Sequence, residues 1–468
     1  MKTYQDLEAN RGSDLQEYVY ACISDYKGSE AYKNAVDGIN YSTGKNTVIM
    51  AYQKLLYSMT GEAFPDNYTA NHKCPANFLQ RFATQEAGYL LSNGIQFQED
   101  STKEALGDKI DSKLHKAAKD AIIQGAAYGF YNNGDVVYFS ASEFCPLFDE
   151  ETGQLKAGIR FWQIDSTKPL RATLYEEDGY TDYINKNGKI SVLQPKRSYK
   201  YNIVESEFDG MQILDGENYP EFPIVPIYSN TRHASELIPI KSQIDAFDLI
   251  KSGFANDLDE ASMIYWTLEG CGGMDDIDIA KFRDRMKILK TAIVDGDQGS
   301  RATAHTIDVP YQSREAYLNR LEKDMMKDFM ALDIDIISAG SVTATQIKAA
   351  YEPLNEKCDE LEYCIIEHIQ GLLALAGVED YPSFRRSQIS NEMETTQMIM
   401  QCANLLDTQT ILEHLPFLTV DEVPEILARL EKEEADRMPF DDEGNDDEGE
   451  EDENEDEDEK KKKKAEEE

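Results

Sequence analysis

No run in this 468-residue chain is apolar for long enough to cross a membrane as a helix, and the first ten residues lack the basic-then-apolar pattern of a secretory signal. The expectation is a soluble, intracellular protein with no membrane partner. The seven cysteines (Cys22, Cys74, Cys145, Cys271, Cys358, Cys364 and Cys402) are odd in number and never fall in a C-x-x-C pair. They predict free thiols in a reducing cytoplasm, not a disulfide framework or a zinc site. Positive charge is also short: 47 Lys and Arg stand against 89 Asp and Glu, a net charge of −42. Residues 441–468 hold 18 acids against 5 lysines, so −13 belongs to the tail and −29 to the rest. An acidic body argues against tight phosphate binding, because nucleic-acid affinity comes largely from Lys and Arg displacing counterions. It leaves room for a duplex that passes through without sticking.

Catalytic patterns are missing as well. Segment 38–46 (GINYSTGKN) imitates a phosphate-binding loop, but too many residues separate its glycines and Asn46 stands where a magnesium-binding Ser or Thr is needed. Asp295 and Asp297 begin like a calcium loop whose closing position, Thr306, is not a glutamate, so a hairpin turn is the better reading. Asp275, Asp276 and Asp278 could hold magnesium as nuclease acids do, yet acids at a helix N-terminus complement its dipole without any metal. The histidines (His72, His115, His233, His305, His368 and His414) keep no ligand or triad spacing. No cofactor and no enzymatic activity are expected.

What is present is a helical frame over residues 237–375. Ile240, Ile244, Phe247, Ile250, Phe254, Leu258 and Ala261 recur at three- and four-residue steps, as do Leu318, Leu321, Met325 and Phe329 in a middle helix. A third and longest stripe holds Ile347, Leu354, Cys358, Leu361, Ile365, Ile369 and Leu372, long enough for roughly 45 to 50 Å. A polar break, DIDIISAGSVTA at 333–344, separates the last two. The insert 269–310 interrupts what would otherwise be a helical hairpin, with a short helix at 277–289 and strand-like pieces at 291–294 and 304–309. It should project from the end of a stalk.

Upstream, residues 1–68 read as mixed, partly helical peripheral packing, followed by helices at 75–93 and 101–127. Gly125 and Gly129 suggest close backbone approach where the pattern changes. Over 128–203 the period shifts towards two, with turn signals such as Asn133-Gly134, Thr152-Gly153 and Asp178-Gly179, which predicts an antiparallel sheet of hairpins. Three prolines in 219–226 (YPEFPIVP) forbid interior strand pairing and predict an extended crossing. Short helices follow at 391–434, and the acidic run after Pro439 reads as disorder.

Four segments in this order resemble the portal proteins of tailed bacteriophages, in the group related to the portal of Bacillus phage SPP1. They are NHKCPANFLQRFATQEAGYLLSNGIQF at 71–97, IPIKSQIDAFDLIKSGFANDLDEAS at 238–262, SAGSVTATQIKAAYEPLNEKCDELE at 338–362, and the distal helical, acidic end. The resemblance implies a mainly α, α+β portal fold. Its wing would be 1–236 with a β-rich part at 128–230, its stem helices 237–268 and 311–332, and its clip 269–310. A tunnel loop at 333–344, a long wing helix at 345–377 kinked by Pro353, a crown at 391–435 and the tail 436–468 would complete it.

The resemblance further implies a ring of about twelve subunits at a capsid vertex, passing double-stranded DNA in packaging and ejection. Its partners would be the terminase large subunit, a head-completion adaptor, and the major capsid and scaffolding proteins; its places would be the host cytoplasm and the virion. Candidate channel residues are Lys241, Lys251, Asp257, Asp259 and Glu260 on the first stem helix, and Asp333, Asp335, Ser338, Ser341 and Thr343 in the loop. A sparse basic set among acids would give weak, exchangeable phosphate contacts instead of deep wells. Phe282, Arg283, Arg285 and Met286 are candidates for motor and adaptor docking at the clip. The rival readings are an acidic helical scaffold or adaptor unconnected with DNA transport, and a magnesium-dependent nuclease built on Asp275, Asp276 and Asp278.

Overall fold

A computed structural model describes residues 2–11, 15–58, 60–67, 69–186, 188–206, 210–261, 265–269, 275, 277–278, 280–281, 301–305, 311–338, 344–387, 392–403, 405–415, 418 and 423–437. The fold is α+β and mainly helical, and the chain divides into two units, Met1–Gln388 and Ile389–Glu468.

The first unit opens with α1 (Tyr4–Ala9), α2 (Leu15–Gly28), α3 (Glu30–Ser42) and α4 (Thr47–Ala51), then a small hairpin of β1 (Leu55–Tyr57) and β2 (Ala63–Pro65). The early helices are not peripheral. Val19, Cys22, Ile23 and Tyr26 of α2 are buried against Cys145, Leu147, Ile159 and Leu174, forming a second core under a sheet. α5 (Phe78–Leu91) follows as expected, then β3 (Ile95–Gln96). The single helix expected over 101–127 is two, α6 (Asp100–Leu106) and α7 (Ile110–Gln124). Gly107 breaks it with a φ of 99°, a conformation open to glycine, and Leu106 and Ile110 hide the break by keeping helical spacing.

Beyond α7 run β4 (Ala126–Tyr131) and β5 (Val136–Ser140), joined by Asn133 and Gly134, whose φ of 48° and 83° match the primed turn that suits strand twist. The predicted meander is β6 (Phe144–Phe148), β7 (Leu155–Trp162), β8 (Leu170–Glu176), β9 (Gly179–Lys186) and β10 (Lys189–Arg197), antiparallel in sequence order. β11 (Lys200–Ser206) and β12 (Gly210–Glu217) form a separate ribbon. The proline-rich segment does become a strand in part. Ile224–Tyr228 is β13, paired with β4 at the edge of a sheet ordered β13-β4-β5, where Pro226 has no inner ladder to break.

Next come α8 (Leu237–Ala261), β14 (Tyr265–Glu269) paired with β15 (Arg301–His305), α9 (Tyr311–Phe329), α10 (Ile334–Ser338), α11 (Ala344–Ala376) and β16 (Ser383–Phe384). The helix expected over 237–268 therefore ends at Ala261, and the chain by Tyr265 is already a strand of the insert's base. The main core gathers α3, α5, α7, the β13-β4-β5 sheet, the first turns of α8, the end of α9 and the second half of α11. The second unit holds α12 (Glu392–Cys402), α13 (Thr408–His414) and α14 (Val423–Arg437). Asp407 caps α13 by accepting from the Thr410 N–H at 3.1 Å.

Candidate functional site

The α8 stripe is buried only at its start. Ile240 and Ile244 are in the core, Phe247, Ile250 and Phe254 are half-buried, and Leu258 is exposed. A second, polar face of the same helix is buried instead. Asp248, Ser252 and Asn256, four residues apart, accept the backbone N–H groups of Ala76 at 2.8 Å, Cys74 at 3.0 Å and His72 at 2.6 Å. Segment 72–76 has no secondary-structure partner for those donors, so the helix satisfies them. Asp248 also accepts from the Asn46 amide at 2.8 Å; burial raises its carboxyl pKa, and these donors oppose the rise. Sequence periodicity missed this ladder because it reads polar side chains as solvent-facing, although the i, i+4, i+8 spacing was there to be seen.

Most charges proposed for the channel on α8 are engaged within the chain. Lys241 pairs with Asp37 of α3, Asp257 with Arg314 of α9, and Asp259 lies 3.5 Å from the His72 ring nitrogen. Lys251 extends over the Phe247 ring at 5.9 Å. Glu260 is placed in the last turn of α8, with its side chain outside the described residues. The Gln243 amide donates to Asp328, and this bond with the Arg314–Asp257 pair fixes α8 and α9 antiparallel in one register.

The segment expected as a polar loop starts as structure. Asp333 accepts from the Asp335 N–H at 3.0 Å at the head of α10, and Ile337 packs with Ile347, Tyr351 and Leu332 in a small core. Its entrance is clamped by Gln85, whose amide donates to the Leu332 carbonyl at 3.0 Å and accepts from the Leu332 N–H at 3.1 Å. Met330 turns the chain out of α9 with a φ of 62°, unusual for a side chain without a short polar group. Ser338 ends α10 with its side chain outside the described residues, and Ser341 and Thr343 lie outside them altogether, as do Phe282, Arg283, Arg285 and Met286. α11 runs through Pro353 without interruption.

Under α11 lies a charged cluster that sequence reading did not anticipate. Lys357 pairs with Glu236 at 2.8 Å and sits 4.1 Å from the Phe329 ring centre. Glu86 of α5 faces the same cluster, fully buried, and neither oxygen has a hydrogen-bond partner among the described residues. Burial pushes its pKa up to about 8 against the pull of the Lys357 ammonium.

The phosphate-loop resemblance at 38–46 dissolves in the structure: Gly38 lies inside α3 against the Ile123 carbonyl, and Asn46 caps α4. Asp275 accepts from the Asp278 N–H at 2.9 Å, the helix-capping role, and Asp276 lies outside the described residues. Among the described residues no cluster of His, Cys, Asp and Glu could hold a metal ion, no helix is long and apolar enough to cross a membrane, and six cysteines are free thiols.

Two comparisons bear on this arrangement. A family model described as "Phage portal protein, SPP1 Gp6-like" matches residues 26–439. A protein named "Portal protein" from Clostridium phage phiCD119 is 25% identical over 387 residues, covering 76% of this chain and 83% of that protein.

Proposed function

The chain belongs to the SPP1-like phage portal protein family and has the portal role, and from that premise we propose how its parts divide the work. About twelve copies form a ring at the capsid vertex of the virion, after assembly in the host cytoplasm, and double-stranded DNA is packaged and ejected through its channel. Residues 1–236 make the wing, 237–268 and 311–332 the stem, 269–310 the clip, 333–344 the tunnel loop, 345–377 the long wing helix and 391–435 the crown. The clip, with Phe282, Arg283, Arg285 and Met286, docks the terminase large subunit and then the head-completion adaptor. The wing meets the major capsid and scaffolding proteins.

The observation that carries this division is the antiparallel pair α8 and α9, locked by Arg314–Asp257 and Gln243–Asp328 and continued by the β14–β15 ribbon. A stalk of that kind can line a channel when copies stand side by side. Lys251, Asp259 and Glu260 on α8, with Ser338, Ser341 and Thr343 in the loop, face the duplex, and Asp333 and Asp335 stand at the loop's base. Lys241 and Asp257 are neutralised by Asp37 and Arg314 and add little field at the wall. With so few cations at the wall, phosphates meet repulsion and brief contacts, which suits a duplex driven through by a motor.

Negative-stain electron microscopy of the full chain, with mass measurement of the assembly, tests the ring. Rings of about a dozen subunits around a central channel are expected. A monodisperse monomer at every salt concentration would overturn the reading.

A further inference from the structure

The meander of β6 to β10 separates its charges. The β6–β7 and β8–β9 turns lie at one end of it and carry Asp149, Glu150, Glu151, Glu177 and Asp178, while the β7–β8 and β9–β10 turns lie at the other. Around those second turns, segments 160–171 and 184–191 hold five cations against a single acid, in a chain where acids outnumber cations 89 to 47. At the acidic end the charges are spent, Glu177 on Lys156 and Asp178 on Lys196. At the basic end they are not. Lys168, Arg171, Lys186 and Lys189 are exposed and make no ion pair among the described residues, and the single acid, Asp165, accepts from the Thr167 N–H of its own turn at 3.3 Å. Ile164 beside it is 85% exposed. Lysines confined to an edge strand would guard against strand pairing, but Lys168 and Arg171 belong to the middle of the sheet.

The complement of this surface is on α11. Glu352, Glu356 and Tyr363 recur at helical steps on one face, all three exposed and Tyr363 by 73%. Neither glutamate has an ion partner among the described residues, and Asp359 between them and Tyr363 pairs with Arg386. The dimensions agree as well. Glu352 to Tyr363 covers about 16 Å of helix, and the two basic turns stand roughly 10 Å apart across the sheet. One end of the sheet can therefore straddle the acids and still set Ile164 against Tyr363.

The chain does not bring these two surfaces together. The basic end rests on α2, in a core that holds no residue of α11. The groove that α11 shares with the meander is at the acidic end, lined by Gln154 and Glu177 on one side and by Cys364 and His368 on the other. At about 3.3 Å per residue, the eight residues of β7 put the basic turns roughly 25 Å from that groove. Two surfaces of opposite charge, each left unanswered within its own chain, fit a head-to-tail contact between copies, the kind that closes into a ring. A nucleic-acid backbone fits the basic end less well, because its phosphates offer nothing to Ile164.

We propose that the basic end of the meander in each copy docks on the α11 face of the neighbouring copy, with its lysines and Arg171 over Glu352 and Glu356 and with Ile164 against Tyr363. This rests on the ring reading above and adds which surfaces make the contact. Pro353 lies between the two glutamates, so each copy would brace its neighbour's long helix at the proline.

The test exchanges charges in the full chain. Lys168→Glu, Lys186→Glu and Lys189→Glu together, and separately Glu352→Lys with Glu356→Lys, change only exposed side chains, so monomer circular dichroism and melting should stay as in the parent chain. Sedimentation velocity over a concentration series should show half-assembly moved to at least about tenfold higher concentration for either reversal, because like charges then meet across the contact. All the changes combined restore opposite charges and should return half-assembly to within about threefold of the parent. If the parent chain forms rings but a reversed variant assembles equally, or the combination does no better than the reversals, the contact is wrong while the ring stands. Unchanged assembly together with lost binding of a short DNA duplex in the lysine variant would give the basic end to nucleic acid instead. If the parent chain forms no rings, both readings fall together.

Discussion

At the scale of single residues, Glu86 is the least expected side chain in the molecule. Its carboxyl is buried without a hydrogen bond among the described residues, which a charged group could not tolerate, and its pKa is raised to about 8, chiefly by that burial. The folded protein therefore keeps it protonated through neutral pH, leaving Lys357 and Glu236 as a balanced pair. In the unfolded chain the same group ionises near about 4.3, so the folded state binds the extra proton between these values. The contribution to stability is fully present below the unfolded pKa and is lost as pH rises towards about 8, a loss on the order of 4–5 kcal/mol. Glu86→Gln should match the parent within about 1 kcal/mol at pH 5 and exceed it by several at pH 8.5, read from denaturant midpoints. A difference that does not change with pH would remove the titration from Glu86. Nothing in the sequence around Glu86 announced this, since its neighbour in space, Lys357, is far away along the chain. Gly129 was legible: an added Cβ would come within 2.7 Å of the His368 ring, the close approach its place at a pattern change had suggested.

At the scale of elements, periodicity served where one face meets one core. The α11 stripe from Leu354 to Leu372 is buried as its spacing predicts. It failed where burial is polar or comes from distant strands: the Asp248, Ser252 and Asn256 ladder looks like a solvated face, and α2 cannot reveal that it covers Cys145 and Leu174. α11 also carries a cost that can be measured. Pro353 is exposed within it, lacks the N–H that an interior position would bond, and in a helix interior is about 3 kcal/mol worse than alanine. Pro353→Ala should raise the melting temperature by relieving up to that amount; on the proposed kink at Pro353, it should also straighten the helix after the proposed tunnel loop and lower the amount of DNA packaged. An unchanged melting temperature would mean that the helix already accommodates the proline at no cost. A raised one with normal packaging would take the proposed kink out of any part in placing the loop.

At the scale of the whole molecule, the proposed channel makes charge the property that decides what can move past its wall. The chain's net charge of −42 was readable at once, whereas which acids are spent inside the fold was not, because ion pairs such as Asp257–Arg314 and Asp37–Lys241 join elements far apart in sequence. Asp259 and Glu260, in the last turn of α8, are the informative acids to change, because the proposed channel wall runs past that end of the helix. Asp259 is half exposed and lies 3.5 Å from the His72 ring nitrogen, outside the buried ladder of Asp248, Ser252 and Asn256, so reversing it leaves that ladder intact. Asp259→Lys with Glu260→Lys would place four added units of positive charge per subunit at the proposed wall, repeated around the ring. Each fixed ammonium near a phosphate displaces counterions and deepens a binding well that the motor must pull the duplex out of, and salt weakens such wells. The expected result is ring assembly unchanged by electron microscopy, slower packaging at low salt, and partial recovery of rate as salt is raised. Packaging at the parent rate across the salt series would take the end of α8 out of contact with DNA and leave the channel wall to the loop and to the exposed face of α9.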